Sequence, residues 1–257
     1  MLHKINKIKG FVVLMMCLSS ADLMGQAIVN IEELRREGEI GFFTNISAGL
    51  DASRGNRDRD YYKLRIRFDN NSENAESFLI MQQTERKSNN NVIDKSKFIH
   101  ARYILIGEDT MHWEVFAQYS ENPFRNYKKR SVLGGGLRFE LSKSGRLGAG
   151  LLNEEETDLT GKAKTTDRLG FYFHTDFEIA ENISFDPTIY FQPSIENFEN
   201  DYKASMILAL DFKVNENFNI RMQYSSSYDS DPPMLAEKTD DSISTMFSYD
   251  LSKLWKD

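Results

Sequence analysis

A chain of 257 residues, 28% charged and 40% hydrophobic, has room for one large all-β domain or two ordinary ones, but no stretch reaches the roughly 20 apolar residues of a membrane-spanning helix. Its formal charge of −7 is the wrong sign for a nucleic-acid partner, which would need a basic face. A single cysteine, Cys17, rules out an internal disulfide.

The first element is a targeting segment. Lys4, Lys7 and Lys9 precede the longest apolar run, residues 11–18, and Ser19, Ser20, Ala21, Gly25 and Ala27 follow it. Basic, then apolar, then small is the order of a secretory signal peptide, here residues 1–25, with cleavage after Gly25 or Ala27. Cys17 would suit a lipoprotein, but Met16 stands where lipid attachment wants a small residue. Residues 1–25 carry three Lys and one Asp, so their removal leaves the mature chain near −9, without its cysteine. Residues 26–37 then form a short N-terminal periplasmic segment. Asn30 and Glu33 have capping-box spacing, so a helical turn and an extended tail both stay open there.

From residue 38 onward the chain alternates apolar and polar residues with period two, in segments separated by turn-rich stretches. Twelve segments follow: 39–52, 60–69, 76–86, 97–107, 111–121, 126–141, 146–154, 166–180, 183–196, 202–214, 217–228 and 242–254. The third is apolar on both faces, which leaves its register open. In the sixth, Tyr127, Leu133, Leu137, Phe139 and Leu141 share one face, opposite Lys128, Arg130, Gly134, Gly136, Arg138 and Glu140. The eighth sets Leu169, Phe171, Phe173, Phe177 and Ile179 against Arg168, Tyr172, His174, Asp176 and Glu178.

Connections 108–110, 142–145, 181–182 and 215–216 are tight, and 70–75 is slightly longer. Connections 53–59, 87–96, 155–165 and 229–241 are long and polar. Short turns alternating with long loops, on an even number of strands, mark a bacterial outer-membrane barrel with periplasmic turns and extracellular loops. A soluble sandwich or lipocalin-like barrel also alternates apolar and polar residues, but has no reason to alternate loop length. Aromatic pairs point the same way: Tyr127 with Phe139, Tyr202 with Phe212, and Phe218 with Tyr228 lie near opposite ends of their strands. About ten residues at ~3.3 Å each, tilted roughly 40°, climb about 25 Å, the height of a lipid-facing band between aromatic girdles. The expected fold is all-β: a transmembrane, antiparallel up-and-down β-barrel of about 12 strands over residues 38–257.

Several stretches resemble the salt-induced outer-membrane protein family (YdiY-like), long treated as a domain of unknown function. They are residues 29–35, 98–103, 113–119 with Asn122 and Phe124, 130–137 and 147–150. The aromatic-rich fifth segment followed by the glycine cluster is the most specific part. The resemblance implies an outer-membrane barrel in contact with outer-membrane lipid and the barrel-assembly machinery. It brings no catalytic residue, cofactor or loop partner. Such chains often end on an aromatic residue, whereas this one ends Trp255-Lys256-Asp257, so the terminal recognition strand is expected to sit further in.

Alternation places the candidate lumen-lining residues at Lys63, Arg65, Arg67, Arg102, Glu114, Arg130, Arg138, Glu140, Arg168, His174, Asp176, Glu178 and Arg221. With Lys128, Lys203 and Lys213, and with Asp51, Asp69, Asp186, Asp211 and Asp250, the inward face carries eleven cations against nine anions. Such balance suits paired side chains rather than a lumen that attracts one sign of ion. His174, Asp176 and Glu178 at alternate positions would suit a metal site, but a salt-bridge ladder with Arg168, Arg138 and Arg130 needs fewer assumptions. A barrel phospholipase would need its histidine facing lipid, whereas His100, His112 and His174 fall on the polar face. Glu154, Glu155, Glu156 and Asp158, and Asp229, Asp231, Asp240 and Asp241, read as solvated loop charge rather than as cation ligands. Gly134, Gly136, Gly148 and Gly150 face inward if Gly145 closes the preceding turn in a left-handed conformation, and they permit strong curvature or leave room inside. The expectation is a non-enzyme without cofactor: a narrow, weakly selective pore, or a closed structural or stress-response barrel acting through loops or lipid contacts. An outer-membrane hydrolase has the least support.

Overall fold

The computed structural model describes residues 39–53, 58–108, 110–233 and 236–252. The expected signal peptide, the 26–37 segment and the Trp255-Lys256-Asp257 end lie outside the described residues. Nearly everything described is strand: β1 Gly41–Ser53, β2 Arg59–Asn71, β3 Ala75–Ser88, β4 Asn91–Leu105, β5 Met111–Asn122, β6 Tyr127–Glu140 and β7 Arg146–Asp158. There follow β8 Ala163–His174, β9 Phe177–Ala180, β10 Ile183–Pro193, β11 Tyr202–Lys213, β12 Phe218–Asp229 and β13 Thr239–Asp250.

Consecutive strands pair antiparallel, except that β8 and β9 both pair with β10, and β13 pairs back onto β1, closing an up-and-down barrel. The thirteen strands fill twelve places, because β8 and β9 are one strand with an interrupted ladder. His174↔Thr188 in β8–β10 is followed, in unbroken register, by Phe177↔Phe185 in β9–β10. Pro187 sits at the gap and has no N–H to give the ladder, although its carbonyl still accepts from the Thr175 amide at 3.2 Å. The closing seam is short, from Asn45↔Asp250 to Ala48↔Phe247. It is reinforced by Ser47 Oγ against Ser248 Oγ at 2.8 Å and by the Thr44 amide donating to Ser252 Oγ at 2.8 Å.

Polarity is inverted relative to a water-soluble fold. Leu50, Leu64, Trp113, Leu133 and Leu151 point outward and keep 50–68% of their surface exposed. Arg67, Arg138, Arg168 and Arg221 point inward and keep at most 2%. The apolar band has an edge. On β4 the outward row runs Leu105, Tyr103, Ala101, Ile99 and then Lys97 and Lys95; on β7 it runs Leu147, Ala149, Leu151 and then Asn153 and Glu155. The band therefore lies toward the end that carries the short turns. Beyond it the strands continue, carrying surface pairs such as Lys97–Glu121 at 3.1 Å and Lys95–Glu85 at 3.3 Å.

Those extensions correct the expected loops. Residues 87–96 are mostly strand, turned by Asn89 and Asn90 at φ 48° and 65°. Two left-handed residues make the primed hairpin turn whose twist matches its strands. The expected 155–165 loop shrinks to residues 159–162, and Asp240 and Asp241 belong to β13. Charge on a strand that has left the apolar band was indistinguishable from charge on a loop. Connections 194–201 and 230–238 are the longest among the described residues.

Three local expectations also change. Gly145 is not left-handed; its turn closes through Ser142 Oγ, which accepts from the Ser144 and Gly145 amides at 3.3 and 2.8 Å. A β-bulge beside Lys128 in β6 shifts the alternation by one, so Tyr127 turns inward and Lys128 outward. In β3 the register is fixed with Phe78 and Ile80 inward, where they form an apolar cluster with Phe98 and Ile104.

Candidate functional site in the barrel interior

The interior is a stack of charged side chains, each raised from the wall by period-two alternation. An isolated charge removed from water costs several kcal/mol, so buried charges persist only when paired. Within the span of the apolar band, Arg102 of β4 meets Glu114 of β5 at 3.0 Å. Tyr172 of β8 donates to the same carboxylate at 3.0 Å and accepts from Arg138 of β6 at 3.4 Å. Arg138 Nε reaches Glu140 at 2.9 Å, and Arg146 approaches Glu140 at 3.5 Å. The Arg102 guanidinium also lies over the rings of Phe116 and Tyr172, at 4.9 and 5.5 Å from their centroids.

Toward the end with the longer loops, Glu154 is the hub. It is 3% exposed and meets Arg130 at 2.6 Å, Lys203 at 2.6 Å and Arg168 at 3.4 Å. Lys203 extends to Glu156 and Asp229, both at 3.3 Å, and Arg168 extends to Asp201 at 2.8 Å. Lys164 ties Asp201 to Asp231 of the 230–238 connection, at 3.1 and 2.6 Å. The Lys164 ammonium holds the Asp231 carboxyl below its usual range. Toward the short-turn end, Arg221 lies between Asp186 and Asp211 at 2.6 and 2.7 Å, and Arg67 holds Asp69 at 2.7 Å.

Of the residues expected in the lumen, Lys63, Arg65, Arg67, Arg102, Glu114, Arg138, Arg168, His174 and Arg221 are buried on the inward face. Arg130 and Glu140 are partly buried there. Arg65 is held by the Gln82 amide oxygen at 3.0 and 2.8 Å. Asp176 and Glu178 are exposed and line a recess of about 450 Å³ at the short-turn mouth, together with His174, Asp186 and Arg221. The ladder expected between His174 and Arg168, Arg138 and Arg130 does not form. His174 Nδ1 lies 2.8 Å from Thr188 Oγ1 and 3.3 Å from Asp186, whereas Arg168 and Arg130 point to Glu154. His100, His112 and His174 are all buried inward.

Glu154, with Glu156, Asp201 and Asp229 around it, was missed as a lumen group by sequence reasoning. Its signal was present: Glu154 closes the 146–154 segment on the inward alternation of Arg146, Gly148, Gly150 and Leu152, and Glu156 carries that alternation past the expected strand end. Tyr172 was placed on the correct face without a role.

The glycines divide by function. A Cβ on Gly134 would enter the Phe116 ring and one on Gly148 the Tyr172 ring, so aromatic side chains fill these two gaps. Gly136 and Gly150 face each other across β6–β7, where a Cβ would meet the opposite backbone, so the sheet curves tightly there. Above the Arg102–Glu114–Tyr172 network lies a cavity of about 180 Å³, whose loop-side wall includes Pro232 and Pro233.

Comparison with solved structures finds the translocator domain of the autotransporter NalP from Neisseria meningitidis at 10% identity, covering 83% of this chain and 89% of that one, with a TM-score of 0.49. The NanC porin is similar at 10% identity, 80% and 97% coverage and a TM-score of 0.48. The KdgM porin, solved with disordered oligogalacturonate, is similar at 8% identity, 80% and 98% coverage and a TM-score of 0.45. Among curated proteins none matches. Residues 46–251, from within β1 to just past β13, match the family described as "Protein of unknown function, DUF481", and the chain belongs to that family.

Proposed function

We propose that this protein is exported by the residue 1–25 signal peptide and spans the bacterial outer membrane as a non-enzymatic barrel, at most a narrow and weakly selective pore. The inverted polarity supports the membrane placement: an apolar band encircling a closed barrel of buried arginines is matched by lipid rather than by water. The loop end faces the cell exterior in this reading, since the strands outgrow the band on that side. Cysteines at Thr160 and Ala236 should then react with an impermeant maleimide on intact cells, and a cysteine at Ser144 should not. The reverse pattern would invert the topology.

One observation carries the pore reading: the interior is filled by paired side chains. Ile104, Arg138, Ile207, Ala209 and Met246 have no exposed surface, and Arg102, Arg130, Arg138, Arg168, Arg221 and Lys203 meet carboxylates that neutralise them. A lumen of this kind attracts neither sign of ion strongly. Liposomes carrying the protein should swell little in iso-osmotic sugar, compared with liposomes carrying a sixteen-stranded porin. Rapid swelling would refute the filled lumen. A closed barrel acting through its loops or lipid contacts is the second reading, supported by the same packing. Salt induction, implied by the sequence resemblance, would appear as more protein in cells grown at raised salt.

A further inference from the structure

We propose that the loop-side cavity is a binding site for a small uncharged, hydroxylated ring, with the size and chemistry of a monosaccharide. Its volume is about 180 Å³. An apolar cavity of roughly 150 Å³ accepts benzene, so this space suits a single ring with short substituents. The walls are of two kinds. Tyr127, Tyr172, Tyr190 and Phe116 contribute flat aromatic surface, Tyr127 and Tyr172 at 7% and 8% exposure. Aromatic faces pack well against the C–H face of a sugar ring. Gln118, Gln192, Ser205 and Ser227 are among the other lining residues, beside apolar groups such as Val132 and Leu152 and the charged pairs. Amides and hydroxyls both donate and accept, as the hydroxyls of a sugar require.

The charges decide against an anion. The cations that border the cavity are already neutralised at short range: Arg102 by Glu114 at 3.0 Å, Arg130 by Glu154 at 2.6 Å, and Lys203 by Glu154, Glu156 and Asp229 at 2.6–3.3 Å. An acidic ligand would have to displace one of these carboxylates and strand it in the interior, at a cost of the kind that breaks buried pairs. A neutral ligand has no charge to set against these pairs and can enter without separating one. The site does not depend on conduction, because a recess closed beneath by the Arg102–Glu114–Tyr172 network binds whether or not ions pass.

The test is calorimetric titration of the protein, purified in detergent, with glucose, galactose, mannose and N-acetylglucosamine, each compared with glucuronate and glucosamine. At least one neutral sugar should bind saturably, and the charged analogues at least tenfold more weakly. Ser205→Phe, which fills the cavity from β11, and Gln192→Ala, which removes one amide, should each weaken binding at least tenfold while the barrel keeps its compact migration on unheated gels. If Ser205→Phe fails to fold, Gln192→Ala carries the comparison. Absence of saturable binding by all four neutral sugars would overturn the proposal. So would preference for glucuronate, or unchanged affinity in Gln192→Ala.

Discussion

Glu154 shows how a single residue holds this interior together. Three cations from β6, β8 and β11 converge on its carboxylate, so Glu154→Gln leaves Arg130, Arg168 and Lys203 facing one another with one fewer counter-charge. Breaking a buried charge network costs about 3–5 kcal/mol, and the urea midpoint of the folded barrel should fall accordingly. An unchanged midpoint would mean that water reaches these cations freely. Gly148 gives a second residue-level test. A methyl group there would enter the Tyr172 ring, and overpacking of this kind costs about 1–3 kcal/mol. Gly148→Ala should therefore destabilise the barrel, and adding Tyr172→Leu should recover part of the loss. If the alanine variant is as stable as the parent, the ring does not occupy that space.

At the scale of strands and connections, the apolar band is the feature to probe. Leu208 lies on its outward face in β11; under the proposed membrane placement, arginine there near the midplane costs about 2–4 kcal/mol. Asn153, outward on β7 but past the edge of the band, should accept arginine with little effect on assembly. Equal yields of folded Leu208→Arg and Asn153→Arg would move or remove the band. The 230–238 connection is tethered through Asp231 to Lys164. Because the folded-state pKa of Asp231 is depressed, the tether is present above the unfolded value near 4 and is lost as pH falls through the lower folded value. A nitroxide at Ala236 should be mobilised by Lys164→Ala at neutral pH, and in the parent only below about pH 4; loosening of the parent near neutrality would exclude the tether. Strand number and inward face were legible in the sequence because period-two alternation is a direct consequence of the pleat. Loop length was less so: β3, β4 and β7 continue as charged strands beyond the apolar band, where polarity no longer separates strand from loop. The bulge at Lys128 and the interruption at Pro187 each act on one or two residues. The first moved Tyr127 into the interior, and the second split one expected strand into β8 and β9. The hub at Glu154 joins β6, β7, β8 and β11, a convergence that depends on barrel closure and cannot be read from any single strand.

For the whole molecule, strand number and charge balance lead to the same expectation. Twelve strands lie between eight-stranded barrels filled by side chains and water-filled porins of sixteen or more, and this barrel resembles the former in its interior. Its inward charges meet within the lumen at 2.6–3.5 Å, from Arg221 near one mouth to Lys203 near the other. Pairing of that kind both fills the bore and cancels its field. The most direct measurement is single-channel conductance in planar bilayers under a potassium chloride gradient. The filled, paired lumen predicts little or no conductance in the parent protein, near-equal passage of the two ions in whatever remains, and a shift toward chloride in Glu154→Gln. A large, steady conductance with strong preference for one sign of ion in the parent would contradict it.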